Sequence, residues 1–226
     1  MLKKAGYINE VLGVRVDSIP MDQVLKMVEK WLDSGEKHYI VTPNAEMVML
    51  AQEDKEFNQV LNQADLAIGD GYGLKLADRR LKQVIGTDFM LALVAKGYKT
   101  LLVGGKPGVA QAAGQKLGVL GMTEPDIRAI NRVKPELLFV ALGHGKQEKW
   151  IAKNLPRLNV KVAMGVGGAL DQVVKPWLRP PKPVQAMGLG WLWRLSLQPW
   201  RIKRQWQLVR FLWLMMKKPS FPKTRY

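Results

Sequence analysis

Leu137-Leu138-Phe139-Val140-Ala141-Leu142 runs directly into Gly143-His144-Gly145, and Val160-Lys161-Val162-Ala163-Met164 runs into Gly165-Val166-Gly167-Gly168. Short, nearly all-apolar runs that stop on glycines are what strands buried on both faces look like, and such strands belong to parallel sheets covered by helices. The same alternation repeats outward from this pair. Residues 14–16, 38–42, 64–68 and 100–103 read as further strands. Helical spacing of apolar residues covers 21–32, 45–63, 87–95, 107–117 and 124–132. The expected fold is therefore α/β, a Rossmann-like, mostly parallel sheet with helices on both faces. Ligands of such sheets sit beyond the carboxyl ends of the strands. That singles out loops 42–46, 69–73, 86–88, 104–108, 143–148 and 165–171.

The end of the chain is built differently. After Asp171 there is no acidic residue, while twelve of the 35 Lys and Arg and six of the eight Trp lie there. Twelve charges of the +16 net charge thus fall in this tail. Prolines at 176, 180, 181 and 183 break regular structure, and helices are expected over 188–197 and from Pro199 to about 216. The second of these carries one apolar stripe, Ile202, Trp206, Val209, Trp213 and Met216, and another of Leu208, Phe211 and Met215. We expect two parts, an α/β core over 1–175 and a basic, Trp-rich helical appendage over 176–226. Interleaved cations and indoles suit an anionic lipid surface. Residues 1–10 have no apolar run of the signal-peptide kind, and no run of about 18 apolar residues occurs, so membrane contact is expected to be peripheral. Cysteine is absent, which removes disulfides and thiolate chemistry.

Among side chains able to do chemistry, Asp70 stands out, between glycines directly after a buried-type strand. There it could be a general base toward a hydroxyl, an effect worth about 10² to 10⁴ in rate, although Asp-Gly also makes a tight turn with no ligand. The Gly165–Gly168 segment could bind a diphosphate through backbone N–H groups at a helix start, or simply allow close packing. Gln147 could hold sugar hydroxyls or cap a helix, and Glu148 offers a carboxylate at a helix start that could be there merely to compensate the dipole. The two histidines, His38 and His144, are far apart in sequence, and no Asp-X-Asp pair is present, so neither a metal nor any other cofactor is expected.

In order and spacing, several segments together resemble the WecG/TagA/CpsF glycosyltransferase family over nearly the whole chain. They are Thr42-Pro43-Asn44, Asp70-Gly71-Tyr72-Gly73, Val84-Ile85-Gly86-Thr87-Asp88-Phe89-Met90, Gly143-His144-Gly145-Lys146-Gln147-Glu148-Lys149-Trp150 and Gly165 to Asp171, followed by Arg179-Pro180-Pro181 and Trp191-Leu192-Trp193-Arg194. The resemblance implies a metal-independent, inverting transfer of N-acetylmannosamine or a related sugar from a UDP-sugar donor. The implied acceptor is an undecaprenyl-diphosphate-linked amino sugar used in cell-envelope polysaccharide or teichoic-acid synthesis. It implies Asp70 as the base, Thr42 and Asn44 beside the sugar, and Gln147 as the amide that holds it. Arg194, Arg201 and Arg204 match the appendage arginines that close over the donor diphosphate. Asp88 and the strand-end glycines Gly104, Gly143 and Gly167 complete the substrate-binding candidates. The implied location is the cytoplasm, at the inner face of the cell membrane. Gln83 stands where the family usually has arginine, and Gly145 where its Pro-Lys-Gln-Glu motif has proline.

Two alternatives stay open on the residues alone. A basic, aromatic tail also suits single-stranded nucleic acid, but the stretch 208–216 is too apolar for a solvated phosphate groove, so no nucleic-acid partner is expected. Gln83 would suit a relative that has lost activity and keeps only lipid docking. Association with further copies of the chain is left open.

Overall fold

A computed structural model describes residues 7–199 and 202–217. In chain order the strands are β1 (Tyr7–Val11), β2 (Val14–Ser18), β3 (His38–Val41), β4 (Leu66–Ala67), β5 (Thr100–Gly104), β6 (Leu120–Met122), β7 (Leu137–Ala141) and β8 (Val162–Gly165). The helices of the first half are α1 (Met21–Ser34), α2 (Ala45–Glu53), α3 (Lys55–Gln63), α4 (Tyr72–Ala77) and α5 (Gly86–Val94). Those of the second half are α6 (Val109–Leu117), α7 (Ile127–Val133), α8 (Lys146–Asn154), α9 (Ala169–Val174), α10 (Lys182–Ala186), α11 (Gly190–Leu197) and α12 (Ile202–Lys217).

Six strands form one sheet in the order β4-β3-β8-β7-β5-β6, every pairing parallel. Side chains alternate between its faces. Val41, Val103, Val140 and Ala163 pack on one side with α2, α3 and α8. Ile40, Leu102, Phe139 and Met164 pack on the other with α1, α5, α6 and α9. Both faces are thus covered, as the apolar strand runs require.

The structure departs from the sequence reading in several places. The span 45–63 is two helices: Asp54 ends α2 and then caps α3 through its carboxylate and the N–H of Phe57, 2.9 Å away. Beside the sheet, β1 and β2 form an antiparallel hairpin whose first strand the sequence reading lacked. The hairpin is anchored by a buried ion pair: Arg15 Nε donates to Asp17 Oδ1 at 2.8 Å, and Asp17 Oδ2 accepts from the Ala67 N–H at 2.9 Å. With its remaining donor capacity Arg15 reaches the Ala64 carbonyl at 2.8 Å, so the pair is satisfied and fixes the end of β4. Between Leu117 and Glu136 the structure adds a short strand, β6, that the sequence reading lacked, while α7 falls within a few residues of the helix expected over 124–132.

The tail folds back onto the core. Along α12 the stripe that turns inward is the one with Phe211 and Met215, and it packs with α2 residues in the first apolar cluster. Arg210 adds an ion pair to Glu53 of α2. The other stripe, Ile202, Trp206, Val209, Trp213 and Met216, is exposed, with Lys217 Nζ 3.8 Å from the centre of the Trp213 ring. Of the two apolar stripes of α12, one is therefore covered by the chain itself. Among the described residues no helix is long and apolar enough to cross a membrane.

A cleft at the carboxyl ends of the strands

All six glycine-bearing or polar loops meet at one end of the sheet. They line a cleft of about 780 Å³, to which each of the six contributes residues. This is the place the parallel topology dictates, and the volume suits a ligand of nucleotide-sugar size. The tail closes its far wall through Trp177, Leu178, Arg179, Trp191 and Arg194.

Asp70 lies at the end of β4. Its N–H bonds to the Pro43 carbonyl at 2.8 Å, and the Val84 N–H reaches the Gly69 carbonyl at 3.1 Å, so segments 42–44, 69–70 and 84–86 are laced together. The carboxylate accepts from the N–H groups of Gly86 and Gly71. A side chain at Gly86 would touch both Asp70 Oδ2, at 3.4 Å, and the Thr42 methyl, at 3.5 Å, so the three share one corner of the cleft. Burial drives the Asp70 carboxyl up to about 6, although the two N–H groups and the nearby His144 and Arg194 pull the other way. A carboxylate with that affinity for protons is a better base than an exposed one and is still ionised at neutral pH.

Of the other expected residues, Thr42, Asn44, Asp88, Gly143, Gln147, Gly167 and Arg194 all line the same cleft. Several also have work inside the protein. The Asn44 side-chain oxygen caps α2 by accepting from the Met47 N–H at 3.0 Å, which leaves its NH₂. Gln147 is 2 % exposed; its Oε1 accepts from the Gly167 N–H at 3.1 Å and its Nε2 donates to Glu148 Oε1 at 2.7 Å. One Gln147 N–H remains unspent, so the carboxamide braces the glycine turn and keeps a single donor. Helix capping falls to the neighbouring Glu148, whose Oε2 accepts from the Gly145 N–H at 2.8 Å. Burial raises the Glu148 carboxyl above the usual carboxylate range. Asp88 is held by an ion pair with Arg179.

Gly104 stands apart. It is not among the cleft residues; its neighbours Gly105 and Lys106 are. Its φ of +99° and the 2.7 Å that would separate a Cβ from the Ala141 carbonyl oxygen explain the glycine through strand packing. On α11, Arg194 brings Nη2 to 2.9 Å from where a Gly168 side chain would begin, over the glycine turn after β8. Arg201 lies outside the described residues, and of Arg204 only the backbone, within α12, is described.

Cleft residues not singled out as site residues from sequence include His144, Arg179 and Lys106. His144 sits with Nδ1 3.5 Å from Glu46 Oε2 and its ring beside Gly167. Arg179 belongs to a quoted motif, but its partner lies 91 residues away, a separation no local pattern reveals. Lys106 follows the glycines of β5. Among the described residues no group of three or more His, Cys, Asp or Glu is placed to hold a metal ion.

A family model for the glycosyl transferase WecG/TagA/CpsF family matches residues 9–225. The chain belongs to that family. Similar curated proteins include an N-acetylglucosaminyldiphosphoundecaprenol N-acetyl-beta-D-mannosaminyltransferase of Staphylococcus aureus strain MRSA252, 28% identical over 92% of this chain and 92% of the relative. A protein of the same description from strain NCTC 8325 is 27% identical over the same shares. The family match spans every loop of the cleft and reaches through α12.

Proposed function

We propose that this protein is an inverting glycosyltransferase that moves N-acetylmannosamine, or a closely related hexosamine, from a UDP-sugar to an undecaprenyl-diphosphate-linked amino sugar. The observation that carries the reading is Asp70. It is a carboxylate whose hold on a proton burial strengthens, and it lines the same cleft as the glycine turns and the tail arginine. The reaction class and acceptor follow the names of the relatives.

In a single displacement, Asp70 takes the proton of the acceptor hydroxyl. The freed oxygen forms a bond to the anomeric carbon from the face opposite the nucleotide, and the bond to the UDP oxygen breaks. The electron pair leaves on the diphosphate. Arg194 lies over the Gly165–Gly168 turn, where a guanidinium and main-chain N–H groups would meet that growing charge. One carboxylate is enough, because attack and departure occur on opposite faces of the sugar.

The exposed Trp206 and Trp213 on α12, in a tail without acidic residues, support docking on the anionic inner face of the cell membrane. Each basic side chain near such a surface contributes about 1 kcal/mol. The test is incubation with UDP-N-acetylmannosamine and a short-chain polyprenyl-diphosphate N-acetylglucosamine, read by mass spectrometry. A disaccharide lipid is expected; no product with any UDP-hexosamine would contradict the reading.

A further inference from the structure

A second, smaller cavity of about 300 Å³ opens beside the cleft, lined by Tyr72, Lys75, Gln83, Ile85, Lys182 and Gln185. Tyr72, Gln83, Ile85 and Gln185 line both spaces, so the two are continuous. The annex is lined by two ammonium-bearing lysines, two carboxamides and a phenol, and by no carboxylate. Lys75 comes from α4, and Lys182 from the start of α10 in the stretch without acids. Among the described residues neither lysine is in an ion pair, whereas Asp78 nearby is already taken by Arg80. The walls are fixed: Gly188, φ +74°, lies so flat on the Tyr72 ring that a Cβ would come within 2.4 Å of it. A side chain at Gly73 would meet Ala45 at 3.0 Å and Leu208 of α12 at 3.1 Å.

The geometry points to this annex as the seat of the acceptor's diphosphate. The inference rests on the transferase reading above. Two cations with three neutral donors and no acid match a diphosphate group. Tyr72 is two residues from Asp70, so an anion held at Lys75 and Lys182 leaves its sugar facing the base. The donor's diphosphate has its own place in the main cleft, at the glycine turns and Arg194, neither of which lines the annex. Because α4 also packs on α12, a chain leaving the annex passes toward the helix that carries the exposed Trp and Ile stripe.

The test uses the full-length protein with Lys75→Ala, Lys182→Ala and the double variant, folding being checked by circular dichroism. Kinetics with a farnesyl-diphosphate-linked N-acetylglucosamine should show the acceptor KM rising about tenfold per lysine, equivalent to about 1.4 kcal/mol for each charge-assisted contact removed. UDP affinity by calorimetry should stay within about twofold. Calorimetric titration of farnesyl diphosphate itself, without turnover, should weaken in parallel. Binding to phosphatidylglycerol vesicles should be unchanged. Unchanged acceptor affinity in the double variant overturns the assignment. So does a loss confined to UDP, or a vesicle-binding loss as large as the acceptor loss. Lysine-dependent farnesyl diphosphate binding in a protein that transfers no sugar would sink the transferase reading and leave the subsite standing.

Discussion

The side-chain oxygen of Gln147 accepts a hydrogen bond from the main-chain N–H of Gly167, 3.1 Å away, and so ties the glycine turn after β8 to the first turn of α8. The other end of the carboxamide is fixed by Glu148 at 2.7 Å. Gln147→Met keeps the volume and removes both bonds. It leaves a buried Glu148 oxygen and the Gly167 N–H short of a partner, which costs about 1–3 kcal/mol. The melting temperature should fall by a few degrees, and the donor KM should rise because the turn is no longer held. A variant with wild-type melting and wild-type donor KM would show that the brace has no role.

Asp70 is expected to be a stability liability that catalysis requires. Its carboxyl is raised to about 6 in the fold, above the ordinary value near 4. The folded state therefore holds the proton more tightly, and stability declines as pH climbs from about 4 to about 6, then stays level. Asp70→Asn removes the buried charge. It should melt higher than wild type at pH 7–8, by on the order of 1–3 kcal/mol, with the gap closing toward pH 4. Thermal melts across pH 4–8 check this; a gap that widens as pH falls would contradict it.

The ion pair between Arg179 and Asp88 links the tail to α5 across the cleft mouth. Both side chains are partly exposed, so the pair adds little to stability, about 0.2–1 kcal/mol. Its effect is expected on function. Arg179→Ala and Asp88→Ala should each raise the donor KM severalfold with little change in melting, and the double variant should be no worse than either single one. Additive losses in the double variant would mean the two act separately.

The two stripes of α12 should separate in experiment. Phe211 is fully buried against α2, so Phe211→Ala should cost about 3–5 kcal/mol. Trp206 is 69 % exposed and Trp213 52 %. Trp206→Ala with Trp213→Ala should leave melting unchanged and weaken flotation with anionic vesicles. Binding that survives high salt in wild type should become salt-reversible in this variant, because screening acts on the cations and not on buried indole. Equal loss of stability from both sets would contradict the assignment of faces.

Strands β3, β5, β7 and β8 were legible because a strand buried on both faces admits almost nothing but apolar residues, and the glycines after β5, β7 and β8 marked the loops of the cleft. The hairpin strand β1 was not legible, since Asn9 and Glu10 break its pattern and its stability comes from pairing with β2 and from Arg15. Asp54 split a long helix because its side chain serves the next N-terminus better than its own helix interior, a choice settled by packing of α2 and α3 on the sheet. Periodicity gave both stripes of α12 but could not say which one the core would take. The Asp70 corner was readable from Gly-Asp-Gly after a strand, whereas the Asp88–Arg179 and His144–Glu46 pairs depend on contacts distant in sequence. Gly104 is not among the cleft residues, and sequence alone could not separate a strand-end glycine near a ligand from one pressed against the next strand.

The most direct test of the account is the pH dependence of sugar transfer by wild type and by Asp70→Asn, with UDP-N-acetylmannosamine and the short-chain lipid-diphosphate acceptor. We expect wild-type kcat/KM to rise with pH through about 6 and level off, and the variant to lose about 10² to 10⁴ in rate, its remaining activity no longer following that titration. A variant that turns over at the wild-type rate, or keeps the same pH profile, would contradict Asp70 as the base.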